Sequence, residues 1–268
     1  MRLGWLDGDG KPLLLVPADT RWVAGRPSHG LLATVGAEGR IFVADPVPSD
    51  GAPLWREIGI DPAARRWLGW PPAVAVADPS GTTVAAVATD PGSGALESHL
   101  VLVDPKGGPT RVVGVPGTWD GRAPAWLGPD RILISTRDRA DRAGLVQVDP
   151  ATGATERWDG ESAAFAVSGD GSTVAYQARD DDRIVVGPVA RARAGQALDP
   201  VAVHGPPRVA AQLLLDATGQ RLAVAWLDDT GETTAYALYE RRGGGWALVR
   251  AGPVPGGATR LVLVSLDP

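Results

Sequence analysis

The feature that most constrains this chain is a short apolar run that ends on aspartate and recurs at nearly regular intervals. TVAYQARD, at residues 173–180, is one copy. The copies end at Asp7, Asp45, Asp90, Asp138, Asp180 and Asp228, at spacings of 38 to 48 residues. The spacing also continues across the termini, because 47 residues separate the last aspartate from the first when the chain is read as a circle. A period of about 40–50 residues made of strands indicates a β-propeller, and the preserved phase indicates a closed ring.

Each period holds enough apolar segments for four strands. Residues 73–115 show them as AVAVADPSG, TTVAAVATD, HLVLVDPKGG and PTRVVGV, with β-branched residues in the strands and Asp, Pro and Gly in the turns. The best helical candidate, DPAARRWLGW at 61–70, is expected to form about one turn before Trp67 and Gly69 break it. We therefore predict an all-β fold, a β-propeller of four-stranded antiparallel blades that spans residues 1–268 as a single domain.

The two chain ends are predicted to close the ring within one blade. TRLVLVSLDP at 259–268 would be its first strand, and RLGWLD and KPLLLVPAD, near the amino terminus, its second and third. The register between residues 20 and 68 has two interpretations. If residues 31–59 hold strands one to three, the ring has six blades and keeps its period, which we favour. If they hold strands two to four, the ring is distorted, and five blades are the alternative.

Two units carry a resemblance to a known family. PAWLGPDRILISTRD followed by GLVQVDPATG, and FAVSGDGSTVAYQARD, resemble the TolB-like, WD40-like (PD40) propeller repeat. That repeat reads apolar-Trp-Ser-Pro-Asp-Gly, an apolar strand, a Ser-x-x-Asp turn and a strand ending Asp-x-x-x-Gly. The chain departs from it in the first blade and in most turns, which lack Ser-Pro-Asp-Gly. Members of this family are mostly binding platforms, and some are attached to peptidases, so the resemblance implies the fold more than a function.

Composition excludes several classes of function. The chain has no cysteine, which excludes disulfides, thiolate metal sites and a cysteine nucleophile. Its net charge of −5 argues against nucleic acid as a partner, because phosphate binding needs a basic stripe. No apolar run approaches the ~20 residues needed to span a bilayer. The start, MRLGWLDGDG, does not read as a signal peptide, so we expect a cytoplasmic protein, or an exported or periplasmic one if a leader was removed.

The recurrent aspartates are predicted to serve their own turns and not a metal. On one face of a propeller they would stand about 12 Å apart, from a strand spacing of ~4.8 Å. A calcium ion needs several oxygens within ~2.6 Å. DGDGK at 7–11 begins like a calcium loop but lacks the later ligands, which favours a tight strand turn. We therefore predict no metal and no cofactor, and expect each aspartate to accept backbone N–H groups in its turn.

Candidate ligand-binding residues come from the loops. The many tryptophans are expected to cap the space between blades. Trp119 is the best candidate for a stacking platform, because Pro116 and Gly117 predict that it lies in a long loop. The three histidines are expected on the same face, more as independent loop residues than as a zinc site, and the loop at 137–143 is among the longest. The candidate set is Trp119, Arg122, His29, His99, His204, Asp138 and Asp141.

No catalytic residue is assigned, because no acid, base and nucleophile converge in the sequence and no Gly-x-Ser-x-Gly elbow is present. The favoured hypothesis is a non-catalytic, monomeric binding propeller that engages a protein or a small ligand through its loop-rich face or channel mouth. One alternative is a hydrolase or lyase at the channel mouth that uses His and Asp from several blades. The other is a sensor or accessory module of a larger assembly.

Overall fold

The computed structural model describes residues 4–6, 12–15, 22–24, 31–44, 55–69, 73–89, 97–158, 162–178, 183–203, 209–227 and 233–253. The chain divides into two compact units, one of residues 1–140 with 148–155 and one of residues 141–147 with 156–268. Among the described residues, no helix has the length and apolarity that crossing a membrane requires.

The first unit is built from short antiparallel strands. Its strands are β1 (Gly4–Leu6), β2 (Pro12–Leu15), β3 (Trp22–Ala24), β4 (Leu32–Val35), β5 (Ile41–Ala44), β6 (Arg56–Ile58), β7 (Ala73–Ala77), β8 (Val84–Thr89), β9 (Glu97–Val103), β10 (Arg111–Pro116), β11 (Thr118–Trp119), β12 (Ala125–Trp126) and β13 (Ile132–Arg137). β1 pairs with β2, and two four-stranded sheets follow, in the orders β3-β4-β5-β6 and β10-β9-β8-β7. β11 and β12 both pair with β13. The predicted four strands of residues 73–115 are thus confirmed.

The favoured register of residues 31–59 is wrong. β4, β5 and β6 are strands two to four of their sheet, because β3 pairs with β4, with Trp22 opposite Val35, and supplies the first strand. Asp45 therefore comes after β5, the third strand of its sheet, whereas Asp138 comes after β13, the second strand in the order of its sheet. Successive antiparallel strands end at opposite edges of a sheet, so the aspartate repeat does not mark one equivalent position in every unit.

The predicted closure of the ring falls partly on residues outside the described ranges. β1 and β2 pair antiparallel as expected for consecutive strands, with Gly4 opposite Leu15. The carboxyl-terminal segment 259–268 lies outside the described residues. Closure and the number of blades therefore stay predictions.

A helix stands where the sequence predicted about one turn. α1 (Pro62–Leu68) has seven residues, and Trp67 does not break it. Asp61 caps its amino terminus by accepting the Ala63 N–H at 2.7 Å, and Pro62 occupies the first turn, where no intrahelical N–H bond is lost. Ala64 and Leu68, one turn apart, are buried in the core of the first unit. The cap and this burial outweigh the weak helical periodicity of so short a segment.

Replacing Asp61 with alanine is expected to cost about 1 kcal/mol of unfolding free energy, because the helix loses its side-chain cap. Denaturation by urea, followed by circular dichroism, measures this change. Asp61→Ser is the matched control, because serine can also accept the N–H bond, and it should retain most of the stability. Equal losses in both variants would show that the cap contributes nothing.

The second unit is also made of antiparallel strands around one apolar core. From Ala143 onward the elements of the chain are β14 (Ala143–Val148), β15 (Thr155–Arg157), β16 (Ser162–Val167), β17 (Thr173–Ala178), β18 (Ile184–Pro188), α2 (Val189–Arg193), β19 (Asp199–Val201), β20 (Ala210–Leu215), β21 (Arg221–Leu227), β22 (Thr233–Arg242) and β23 (Gly245–Pro253). β16 to β19 and β20 to β23 form two four-stranded sheets, each in chain order. Residues of both sheets, such as Val186 and Leu222, share the core.

In each unit, outer strands contact the next sheet through hydrogen bonds donated by arginine side chains. In the first unit, Arg56 of β6 donates to the Pro105 carbonyl at 2.5 Å, and Arg111 of β10 donates to the Ala151 carbonyl at 2.7 Å. In the second unit, Glu156 accepts two bonds from Arg193, and Asp199 accepts one from Arg241. In all four contacts the residue of the neighbouring sheet lies at or near the connection between the third and fourth strands of that sheet. These residues are Pro105, Ala151, Arg193 and Arg241. The sequence predicted the sheets but not these hydrogen bonds between sheets, because the bonded residues are 37 to 49 positions apart in the chain.

Candidate functional site

Residues 117–122, which follow β10 and include β11, carry a hydrogen-bonded polar cluster of the first unit. Gly117 and Gly121 bracket it with φ values of 92° and 86°, which glycine adopts at little cost. At Gly117 an added Cβ would lie 2.7 Å from the Arg137 carbonyl oxygen, so glycine is also required by space. The segment therefore runs directly against the end of β13.

Trp119 anchors this segment in the interior. It lies in β11, opposite Thr136, and is only 5% exposed. Its backbone N–H donates to Ser98 Oγ at 2.6 Å, and its indole N–H donates to the Arg122 carbonyl at 2.6 Å. The predicted long loop is thus wrong at this residue, because pairing with β13 makes a short strand. A ring so deeply buried offers no face for a ligand to stack on, which favours the structural role that the sequence also allowed.

Asp120 and Arg122 form an ion pair that is closed off from solvent on the acidic side. Arg122 Nε lies 3.2 Å from Asp120 Oδ2, and the Asp120 side chain is 3% exposed against 26% for Arg122. Ser135, which is fully buried in β13, donates its hydroxyl to Asp120 Oδ2 at 2.6 Å. The Arg122 backbone N–H also donates to Asp120 Oδ1 at 3.2 Å. The buried carboxylate is therefore satisfied from two elements, and it fixes the direction of a partly exposed guanidinium.

Burial lowers the pKa of Arg122, and the nearby positive charge of Arg137 lowers it further. Asp120 acts in the opposite direction through its charge and its hydrogen bond, but does not offset the burial. Arginine stays protonated at any physiological pH. The guanidinium is therefore a fixed cation whose loss of hydration is only partly compensated by Asp120.

Ser98 and His99 point to opposite faces of β9, as successive strand residues do. Ser98 is fully buried and bridges to the candidate segment, since its hydroxyl donates to the Gly117 carbonyl at 2.9 Å. The His99 ring instead stacks on Trp67 of α1, with ring centroids 3.8 Å apart. Arg66 lies over the Trp67 ring at 4.6 Å from its centroid. His99 is therefore part of the α1 contact, away from the face that Ser98 shares with Trp119.

Two of the other candidate residues, Asp138 and Asp141, lie in the connection that follows β13. Asp138 follows β13 and accepts the Ala140 N–H at 2.8 Å, which confirms for this aspartate the predicted role in its own turn. Asp141 belongs to the second unit and has a left-handed φ of 59°. His29 and His204 lie outside the described residues, as do the other five aspartates of the repeat.

A different set of turn aspartates was missed by the sequence analysis. Asp78 is almost fully buried and accepts the backbone N–H groups of Thr82 and Thr83 at 2.6 and 2.8 Å. Asp216 does the same for Gln220 and Arg221 at 2.7 and 3.0 Å. Both hold the turn between the first and second strands of a sheet. The shared pattern Asp-x-Ser/Thr-Gly was the signal that could have found them.

In the part of the chain that the structure describes, no group of three or more His, Asp or Glu side chains is arranged to hold a metal ion. The chemistry that the cluster around Arg122 provides is the presentation of a cation in a fixed orientation. Its basic group is a guanidinium, which does not serve as a proton acceptor.

Several solved structures have a similar fold, and one of them is named as a β-propeller domain. A TolB structure from Agrobacterium tumefaciens has a TM-score of 0.59 at 14% identity, with 90% of this chain and 84% of that chain covered. The β-propeller domain of Cps50 (Swd1) from Myceliophteria thermophila has a TM-score of 0.58 at 11% identity, with 88% and 73% covered. Hydrazine synthase from Kuenenia stuttgartiensis gives 0.57 at 13% identity, with 89% and 70% covered. No family model and no curated protein matches the chain.

The antiparallel four-stranded sheets and these similarities define the fold as a β-propeller. Within that fold, the chain is similar to TolB and to the Swd1 propeller domain, in line with the family resemblance of its repeat motifs. At 11 to 14% identity the similarity concerns the fold alone.

Proposed function

We propose that residues 1–268 act as a single, monomeric, non-catalytic binding propeller, and that the surface around Arg122 engages a protein partner. The observation that carries this proposal is the fixed presentation of Arg122 by buried groups. Asp120, Ser135 and the backbone of Trp119 lie in the interior, whereas the Arg122 side chain is 26% exposed. Arginine is enriched at the centres of protein interfaces, and an orientation fixed in advance lowers the entropy lost on binding.

The fold supports the same role. Four-stranded sheets with hydrogen-bonded turns, such as those of Asp78 and Asp216, provide a rigid scaffold on which connecting segments carry the specificity. Propellers with similar folds include the domain of Cps50 (Swd1) and TolB. The fold of hydrazine synthase is also similar, which keeps an enzyme as the second candidate.

Arg122→Ala is expected to lose partners that the wild-type chain retains. The test is affinity capture from an extract, followed by reconstitution of each captured protein with the purified chain and measurement of the affinity by calorimetry. Removing one interfacial arginine should weaken binding by at least tenfold, about 1.4 kcal/mol. Arg131→Ala is the matched control, because Arg131 is also a partly exposed arginine beside β13, paired with Asp149 at 3.2 Å.

Partners that bind both variants as tightly as the wild type would contradict the proposed surface. Turnover of hydrolase or lyase substrates by the purified chain, abolished by a substitution that leaves partner binding intact, would favour the enzyme instead. Both variants must first show the thermal unfolding of a folded chain.

A further inference from the structure

We propose that the outer edge of β23 binds an extended segment of a protein partner as an added strand, and that Arg250 and Tyr236 hold a carboxylate of that segment. The inference goes beyond the surface around Arg122 and does not depend on it. Three observations on the second unit carry it: the length of this edge, the exposed charge of Arg250, and the position of Tyr236 over Gly252.

β23 is the longest strand at a sheet edge within the described ranges. It has nine residues, whereas β6, β15 and β19 have three each and β10 has six. Very short edge strands offer few backbone groups to a partner, which is one way in which proteins avoid unwanted pairing. In β23 the backbone groups of every second residue face away from β22, and no described strand pairs with that side. They form a row of donors and acceptors that an added strand can use.

A β-bulge limits which strands can pair with this edge. The register shifts between Leu238 and Tyr239 of β22, and Val249 is the extra residue of the bulge. Its side chain is 48% exposed. A bulge twists an edge and disfavours pairing with another long, flat edge. The parts on either side, residues 245–248 and 250–253, therefore suit a short extended segment better than the edge of another sheet.

Arg250 supplies a cation at this edge. It is exposed and lies opposite Leu238 of β22. Among the residues that the structure describes, none forms an ion pair or a hydrogen bond with the Arg250 side chain. Glu240, the one carboxylate of the β22–β23 hairpin, is already bound by Arg242, whose Nη2 lies 2.7 Å from Oε2. A carboxylate on an added strand can therefore pair with Arg250, whereas a basic residue there would be repelled.

Tyr236 places a phenol group on the same face of the hairpin. It lies opposite Gly252, which is two residues from Arg250, so the three residues share one face. Because Gly252 has no side chain, the Tyr236 ring lies across it, and a Cβ added at this glycine would be 3.4 Å from the phenol oxygen. The phenol therefore reaches the edge strand, roughly 7 Å along it from Arg250. The long guanidinium side chain and the phenol can both donate to one carboxylate.

An extended acidic peptide uses both features of this edge, whereas a small anion uses only the two side chains. Arg250 is the only charged residue of β23, so the edge offers one cation for one carboxylate. Val249 and Ala251, on either side of it, are exposed and apolar. We therefore expect the partner segment to carry one Asp or Glu among β-branched or apolar residues.

The test is hydrogen exchange of the β23 amides, followed by NMR on the full chain during titration with capped peptides. The first peptide alternates threonine and valine around one central glutamate, the second has glutamine in its place, and the third is the glutamate peptide with every amide N-methylated. The glutamate peptide should bind saturably and slow exchange at the outward-facing amides of β23. The glutamine peptide should bind roughly fivefold more weakly, as for the loss of an exposed ion pair. The N-methylated peptide should give no protection, because it has no amide hydrogen to donate.

Two variants test the side chains that hold the carboxylate. Arg250→Gln should weaken binding of the glutamate peptide roughly fivefold and leave the glutamine peptide unaffected. Tyr236→Phe should weaken the glutamate peptide roughly threefold, because one hydrogen bond is lost. Arg111→Gln is the matched control and should bind as the wild type does. Arg111 is also an exposed arginine of an outer strand, but it donates to the Ala151 carbonyl at 2.7 Å.

Equal affinity for the glutamate and glutamine peptides, protection by the N-methylated peptide, protection confined to β10, or no binding at all would each overturn the inference. If the peptides fail but captured partners require Arg122, the proposed function stands and the assignment of this edge fails. If the peptides bind as expected but Arg122→Ala retains every partner, the edge stands and the surface around Arg122 fails.

Discussion

Asp120→Ala is expected to lower the free energy of unfolding by about 2–3 kcal/mol, because it leaves a largely buried guanidinium without its carboxylate. The Arg122 side chain is 26% exposed and keeps part of its hydration, so the loss should stay below the 3–5 kcal/mol typical of a fully buried pair. Ser135 would also lose the acceptor of its hydroxyl inside β13. Urea unfolding monitored by tryptophan fluorescence measures the loss.

Comparing Asp120→Asn with Asp120→Ala separates the charge of the Asp120 side chain from its hydrogen bond. Asp120→Asn keeps an oxygen that can accept the Ser135 bond but removes the charge, so its stability should lie between those of the wild type and the alanine variant. Asp130→Ala is the exposed control, because the Asp130 side chain is 71% exposed; its effect should be under about 0.5 kcal/mol. If Asp120→Ala changes stability no more than Asp130→Ala, the ion pair has no structural role.

Gly117→Ala is expected to cost about 3 kcal/mol, from a left-handed backbone and from steric overlap together. Its φ is 92°, and the added Cβ would lie 2.7 Å from the Arg137 carbonyl oxygen and 2.9 Å from Thr136 Oγ1. Both neighbours belong to β13, and the Arg137 carbonyl oxygen is a backbone atom that cannot move without disturbing the pairing of β13 with β11. Relief of the overlap would shift the segment that presents Arg122, so partner binding should weaken together with stability.

Gly121→Ala is the matched control for the backbone contribution. Its φ is 86°, similar to that of Gly117, but an added Cβ meets nothing within 4 Å. It should therefore cost about 1 kcal/mol, from conformation alone. Equal stability losses in the two variants would show that the close approach to β13 is unimportant, and calorimetric or chemical unfolding of both chains decides this.

The repeat predicted the strands well because the strand signal is local. Runs such as the one at 131–138 alternate with Asp, Gly and Pro turns at every period, and the structure has β13 from Ile132 to Arg137. The register at 31–59 failed for a physical reason. Trp22–Ala24 is too short a run to be recognised as a strand by periodicity, and only its pairing with β4 makes β4 the second strand. The helix α1 was underestimated similarly, since its stability comes from burial of Ala64 and Leu68.

The candidate site was identified in part. Arg122 was selected from the sequence together with Trp119, and the two are linked by a hydrogen bond in the structure. Their roles are different from those expected, because Trp119 is an interior anchor and Arg122 alone reaches the surface. Ser98, Asp120 and Ser135 were not selected, since a buried polar residue within or beside an apolar strand has no distinctive sequence pattern.

The sequence by itself determined that this chain makes short antiparallel strands in repeated sets, because alternation, β-branching and turn residues act between near neighbours. The tertiary structure alone decided which strand comes first in a sheet, which aspartates are buried, and which arginine is held in a fixed orientation near the surface. Those outcomes depend on residues such as Ser98, Asp120 and Ser135, which meet only after the chain has folded and 15 to 21 residues of intervening chain have been bridged. Their energies come from desolvation and close packing, which local sequence does not encode.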